Sequence, residues 1–420
     1  MALLALASIA LVSCGSVNSN TTNTNQPSGL KFRAFISNPV QASLGTHLPV
    51  LNIVDAQLDQ ISFSTVSLLG AVADPGLMVV SPDRRHTLLY SGADTSLALV
   101  ANASEALASG TSAIKLPGAS QSMLIDPFNS NAYVAVPTAP VTGQSPGAIE
   151  VVNLTSFAIS AAVPVPGVRY IVQSPDGNRI LAFSDDSDSV TLITPALIGT
   201  GNDPRRVVPG FDRPVWGVVS SDNSTAYILN CGPECGGTAA SISSLDLGSD
   251  TITATSPVDA ATIALLEGNK LYVAGSPPGA DCGGTTTAAP TCGRLDVVDV
   301  GSLTVTSTAV ITDGYHNRIA MGANGQLFVG ARTCTNINAS SGSSEVRGCL
   351  SIFDSAGGKV VIPPKTGDVT SVEPITDRSV VYVCQDGKLG IYDTTTDALQ
   401  ATQVDIIGQA VDVKLVDSPP

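Results

Sequence analysis

A unit of about fifty residues recurs from end to end of this chain. Its clearest copy begins with the apolar strand Tyr170-Ile171-Val172-Gln173 and the turn Ser174-Pro175-Asp176-Gly177. A second strand follows at Ile180-Leu181-Ala182-Phe183, and after a loop a third at Ser189-Val190-Thr191-Leu192-Ile193. A unit of this kind cannot bury its own apolar face, so neighbouring copies must stack. With only strands to stack, the economical arrangement is radial, as the blades of a β-propeller.

The strands of each unit are labelled A to D from the centre outward. A strands end at the turn clusters Ser81-Pro82-Asp83, Asp126-Pro127, Ser174-Pro175-Asp176, Ser220-Ser221-Asp222, Glu267-Gly268-Asn269, Ala323-Asn324-Gly325 and Thr376-Asp377-Arg378. Each cluster is turn chemistry between two apolar runs. B strands follow around Leu89, Val134, Leu181, Ile228, Val273, Val329 and Val381. One more B strand, Phe32–Ser37, has no A strand before it, and a candidate stands at the other end as Ala410–Val416. The expected fold is therefore all-β: an eight-bladed propeller of four-stranded antiparallel blades, closed by the C-terminal strand joining the first blade. Closure of that kind leaves no open edge. Seven blades is the alternative, if residues 367–408 prove irregular.

Several third strands end in aspartate, at Asp55, Asp246, Asp299, Asp354 and Asp393. A carboxylate there caps the following turn through its own backbone, so these residues read as structural. The Ser-Pro-Asp-Gly turn with a third strand ending in Asp resembles the YVTN-type β-propeller repeats of bacterial surface and secreted proteins, over nearly all of residues 31–417. Val100-Ala101-Asn102 and Ile193-Thr194 depart from the pattern. The resemblance implies the propeller and no particular activity. Lactonase-like propellers share the repeat style, which brings a hydrolase at the channel mouth, and a divalent cation held centrally, into consideration.

Acidic residues outnumber basic ones, 35 Asp and Glu against 20 Lys and Arg, which argues against a nucleic-acid partner because phosphates need a basic footprint. Residues 1–13 carry a short apolar run that fits a signal-peptide core. Leu11-Val12-Ser13-Cys14 looks like a bacterial lipobox, with Cys14 as the lipidated residue. No Lys or Arg precedes the run, which leaves open a start upstream of Met1. Residues 14–29 are rich in Ser, Asn and Thr and read as a flexible tether to a single domain over residues 30–420. The expected address is the bacterial cell envelope, with Gly15 after the Cys pointing to the outer membrane.

Six cysteines fall in pairs between strands B and C of three consecutive units: Cys231 with Cys235, Cys282 with Cys292, and Cys334 with Cys349. The repeat register makes three local disulfides the simple expectation, and an exported compartment permits them. A metal site in the Cys231–Cys235 segment would want histidine nearby, and His47, His86 and His316 are all distant in sequence. Cys384, inside an apolar run, reads as a buried small hydrophobe.

The longest loops, 38–49, 137–147, 231–240, 275–293 and 331–348, all join B to C and emerge on one face. Elaboration confined to one face of a repeat array marks a binding face. Residues just before the A strands should ring the channel mouth there: Arg169, Tyr170, Arg213, Tyr315, His316 and Arg318, with Asp212 and Asp313 able to neutralise them. Such a ring of cations suits a carboxylate or phosphate. Trp216, the only tryptophan, is expected to wedge between blades. No Gly-x-Ser-x-Gly elbow, phosphate loop or His-Glu-x-x-His helix occurs. The chain is expected to act as a monomeric binding scaffold without a cofactor, its partner an envelope protein, glycan or peptide. A structural surface protein is the bland alternative.

Overall fold

The computed structural model describes residues 27–43, 46–280, 292–335, 337–338, 346–400 and 404–419. The expected leader, Cys14, most of the expected tether and Cys282 lie outside them. Eight antiparallel blades stand in a ring, and their innermost strands neighbour one another around a closed circuit. The first blade takes its A strand, Asp412–Leu415, from the C-terminal end, beside Arg33–Ser43, Thr46–Asp55 and Gln60–Ser67. Phe35 pairs with Lys414 and Ile36 with Val413 across the seam. The unit at 367–408 is a regular blade, Val369–Pro374, Val380–Gln385, Lys388–Asp393 and Ala398–Leu399, so the count is eight rather than seven. The second blade carries an additional short strand, Ile114–Lys115, paired with Ser96–Ala101.

The core lies between blades. Phe183 and Leu181 of the fourth blade bury against Val219, Ile228 and Leu245 of the fifth. Burying each such side chain contributes about 1.5–3 kcal/mol. Alternation along the strands supplies two apolar faces per blade, one for each neighbour, which is why B and C strands read as near-continuous apolar runs.

The A-to-B turns are short, and those of the second, fourth and fifth blades reuse one design. In the fourth blade Ser174 Oγ donates to Asp176 Oδ1 at 2.6 Å, and the same carboxylate oxygen accepts from Asn178 N at 3.0 Å. Gly177 has φ +75°, and a Cβ there would also sit 2.9 Å from Pro127 Cδ. Left-handed asparagines at the equivalent turns tie blades together: Asp83 N donates to Asn129 Oδ1 at 3.1 Å, and Asp176 N to Asn223 Oδ1 at 3.0 Å. The aspartates ending the third strands cap turns as expected. Asp246 Oδ1 accepts from Gly248 N and Ser249 N, and Asp299 Oδ1 from Ser302 N.

Side-chain clamps reinforce the seam. Arg33 donates from Nε and Nη2 to the two Asp417 oxygens, each at 2.7 Å, and from Nη1 to Glu105 Oε1 at 2.7 Å and Asn102 O at 2.8 Å. Arg378 of the last blade grips Asp59 of the first at 2.5 and 2.7 Å. Ser28, near the end of the expected tether, also docks here, its Oγ donating to Glu105 Oε1 at 2.5 Å.

The expected loop 38–49 is instead mostly strand. Arg33–Ser43 and Thr46–Asp55 extend past it, with a bulge between Asn38 and Gln41 absorbing the irregular register. Cys231–Cys235 and Cys334–Cys349 are disulfides, and Cys292 is disulfide-bonded as well. Cys384 is a buried free thiol.

Candidate functional site

The face bearing the B-to-C and D-to-A loops opens into the channel through two successive cavities. The outer vestibule has a volume of about 500 Å³ and is lined by Gln121, Arg169, Tyr170, Asp185, Arg213 and Tyr315, among others. An inner chamber of about 180 Å³ lies beyond it, lined by residues including Tyr170, Trp216, Thr262, Tyr315, Asn317 and Arg318. Gln121, Tyr170 and Tyr315 line both and so form the constriction between them. They come from three different blades, and Tyr170 Oη donates to Gln121 Oε1 at 3.2 Å.

A local irregularity aims these side chains. The A strands of the second, fourth, fifth, seventh and eighth blades each carry a register shift near their first residues. A bulge adds one residue and re-aims the side chains beyond it. In the seventh blade the shift falls between His316 and Arg318. His316 consequently lines neither cavity. Its ring is fully buried against Gly293, where a Cβ would lie 2.7 Å from Cε1. Burial pushes its pKa down to about 4, so it is neutral at physiological pH. Of the six residues expected at the mouth, Arg169, Tyr170, Arg213 and Tyr315 meet in the vestibule, and Arg318 lies deeper, in the inner chamber.

The vestibule arginines are paired, though not by the expected acids. Asp185 takes Arg169 in a forked ion pair and raises its pKa. Arg213 Nη1 lies 3.2 Å from Asp186 Oδ1, and its Nε 4.0 Å from Asp188 Oδ1. All three acids belong to the B-to-C turn of the fourth blade. Asp212 and Asp313 instead each pin the B-to-C loop of their own blade. Asp212 Oδ2 accepts from Thr238 N at 2.8 Å and Ala239 N at 2.9 Å, and Asp313 Oδ1 from Thr335 N at 2.8 Å.

Sequence reasoning missed Glu234. It sits inside the Cys231–Cys235 loop, where burial pushes its carboxyl up to about 7 even though Ser276 N donates to Oε2 at 2.7 Å. Ser276 Oγ in turn donates to Gly314 O at 2.8 Å, so loops of three successive blades are tied in series. Gly232 makes this loop possible: it has φ +69°, and a Cβ there would lie 2.3 Å from Ala240 N. The available signal was an acid inside a closely spaced cysteine pair, in the segment already expected to be stapled.

Trp216 does wedge between blades, packing with the apolar clusters on the two faces of the neighbouring sixth blade, and it also lines the chamber. It meets Tyr170 edge-on, with ring centroids 5.8 Å apart. Among the described residues no three His, Cys, Asp or Glu side chains are grouped to hold a metal ion, and no helix is long and apolar enough to cross a membrane.

No family model matches the chain, and no curated protein matches it in sequence. Solved structures share its fold. The dihydro-heme d1 dehydrogenase NirN in complex with DHE aligns over 93% of this chain and 76% of its own, at 11% identity and a TM-score of 0.64. A functionally unknown protein from Desulfotomaculum acetoxidans aligns over 93% of this chain and all of its own (100%), at 11% identity and a TM-score of 0.53. The Cps50 (Swd1) β-propeller domain of Myceliophteria thermophila covers 75% of this chain and 96% of its own, at 12% identity and a TM-score of 0.53. At such identities the likeness speaks to the propeller fold.

Proposed function

We propose that this chain is a lipid-anchored, extracytoplasmic β-propeller of the YVTN-repeat type that binds a partner on its stapled face. The observation carrying the proposal is the segregation of features. The disulfide loops, the series of loop ties through Glu234 and Ser276, and the vestibule all occupy one face, while the other has short Asn- and Asp-rich turns. Loops clipped in place lose less entropy when they bind. The Cys14 lipobox and the disulfides together support an envelope address. The partner is an envelope protein, glycan or peptide.

The two parts are tested together in cells. Cys14→Ser should shift the protein from the membrane fraction to the wash; continued sedimentation with membranes would count against the anchor. Protein released in this way should rebind cells lacking it, and Ser187→Trp, which fills the vestibule wall, should prevent rebinding. Undiminished rebinding by that variant would remove the vestibule from the interface. A lactonase-like hydrolase at the same mouth makes a different demand, lactone turnover that Ser187→Trp abolishes.

A further inference from the structure

We propose that the inner chamber is a binding site for a small organic monocarboxylate with a flat apolar body, held by Arg318. This site stands apart from the partner on the outer face and survives if that reading fails.

Three observations converge on it. The first is Arg318 itself. Its Nε donates to Thr370 O at 2.6 Å and its Nη1 to Asn317 O at 2.7 Å, which fix the guanidinium against the wall of the chamber. Among the described residues no carboxylate reaches it within ion-pair distance, unlike Arg169 and Arg213 above. The acid whose charge acts on it is Asp412, whose oxygens already serve Met78 N, Ser371 Oγ and Val413 N, with Lys414 Nζ 3.5 Å away. A guanidinium has five N–H donors, and the two carbonyls leave others to be met. In water-poor surroundings a carboxylate is their natural acceptor, in forked geometry.

The second is Asn317. Its Oδ1 is buried and accepts no hydrogen bond. It lies beside Arg318 on the chamber wall. A buried acceptor left unmet is costly unless something supplies a donor. A hydroxyl or amine next to the ligand's carboxylate would do so.

The third is the wall. Tyr170, Trp216 and Tyr315 present aromatic surface, and Ile171 and Ile263 add aliphatic surface. An apolar lining with a few convergent polar groups is what a small-molecule site requires. About 180 Å³ is the liquid share of about six water molecules, which limits the guest to a small acid. A single cation on the chamber wall, in a chain of net charge −15, favours one negative charge over two.

Trp216 is the only tryptophan and lines this chamber, so its emission reports on the site. The experiment titrates benzoate into the purified full chain and follows that emission, with benzamide as the uncharged isostere and inorganic phosphate as a dianion-forming control. Benzoate should give a saturable change, and benzamide and phosphate should bind at least roughly tenfold more weakly. Arg318→Gln should weaken benzoate binding by roughly ten- to a hundredfold. Arg318→Lys, which keeps the charge and loses the fork, should fall between, and it decides the matter if the glutamine variant does not fold. The proposal is overturned if benzoate gives no saturable change, if benzamide matches it, if phosphate binds better, or if every folded Arg318 variant binds benzoate as the parent does.

Discussion

Arg33→Ala should destabilise the propeller by about 3–5 kcal/mol, the cost of breaking a buried ion pair from one side. Arg33 is 7% exposed and stands where the two ends of the chain meet. Its fork to Asp417 raises its pKa, with Glu105 adding to the effect against the cost of burial. Removing it strands Glu105, whose side chain is 4% exposed, and frees the last residues after the closing strand. The seam is where a propeller is most exposed to opening, because only there does no chain connect neighbouring strands of the ring. Chemical denaturation checks this against Arg85→Ala, which removes a surface pair at 3.7 Å from a side chain 79% exposed. That control should cost no more than about 1 kcal/mol. Equal losses from the two variants would show that the seam clamp does not carry closure.

Glu234→Gln should stabilise the protein at alkaline pH and remove one component of its pH dependence. The Glu234 carboxyl is raised in the folded state, from 4.5 to about 7. The folded state therefore binds the proton more tightly than the unfolded chain does. Its contribution is fully present below the unfolded value and is lost as pH rises through the folded one. Between about pH 4.5 and 7 stability thus falls by about 3 kcal/mol through this group. His316 acts oppositely over an overlapping range. Its folded pKa is lowered to about 4, so the stability it lends is present above its unfolded value and lost as pH falls. The two effects partly cancel in the parent protein, and the difference between parent and Glu234→Gln isolates the carboxyl. Thermal unfolding should give nearly equal stabilities at pH 4 and a widening advantage for the variant up to pH 8. A difference independent of pH would mean that Glu234 is ionised throughout.

The blade count and the closing strand were legible because the repeat carries its own punctuation. Ser-Pro-Asp-Gly and its relatives mark every A-to-B turn, and the unpaired B strand at Phe32–Ser37 predicts its missing mate at Ala410–Val416. The Cys231–Cys235 and Cys334–Cys349 pairings followed from that register. Side-chain direction at the mouth was not legible. One extra residue in an A strand swaps the faces of a strand, and no residue type announces it. His316 therefore reads from the sequence as a channel residue, whereas it packs against Gly293. The Arg169–Asp185 and Arg213–Asp186 pairs were hidden for a related reason, since the arginines stand at the A-strand bulges and the acids come from a separate turn of the fourth blade. Glu234 was invisible because its desolvation arises from the loop around it and from Ser276 of the next blade.

The most direct test of the binding-face account is hydroxyl-radical footprinting of the protein in its native envelope, compared with the same protein purified. Pro233, exposed in the stapled Cys231–Cys235 loop, and Tyr170 in the vestibule report on one face. Phe128, 69% exposed in an A-to-B turn, reports on the other, and Phe63 on the outer rim. The account predicts that Pro233 and Tyr170 lose reactivity in the envelope while Phe128 and Phe63 keep theirs. Protection at Phe128 or Phe63 with Pro233 and Tyr170 unchanged would contradict it.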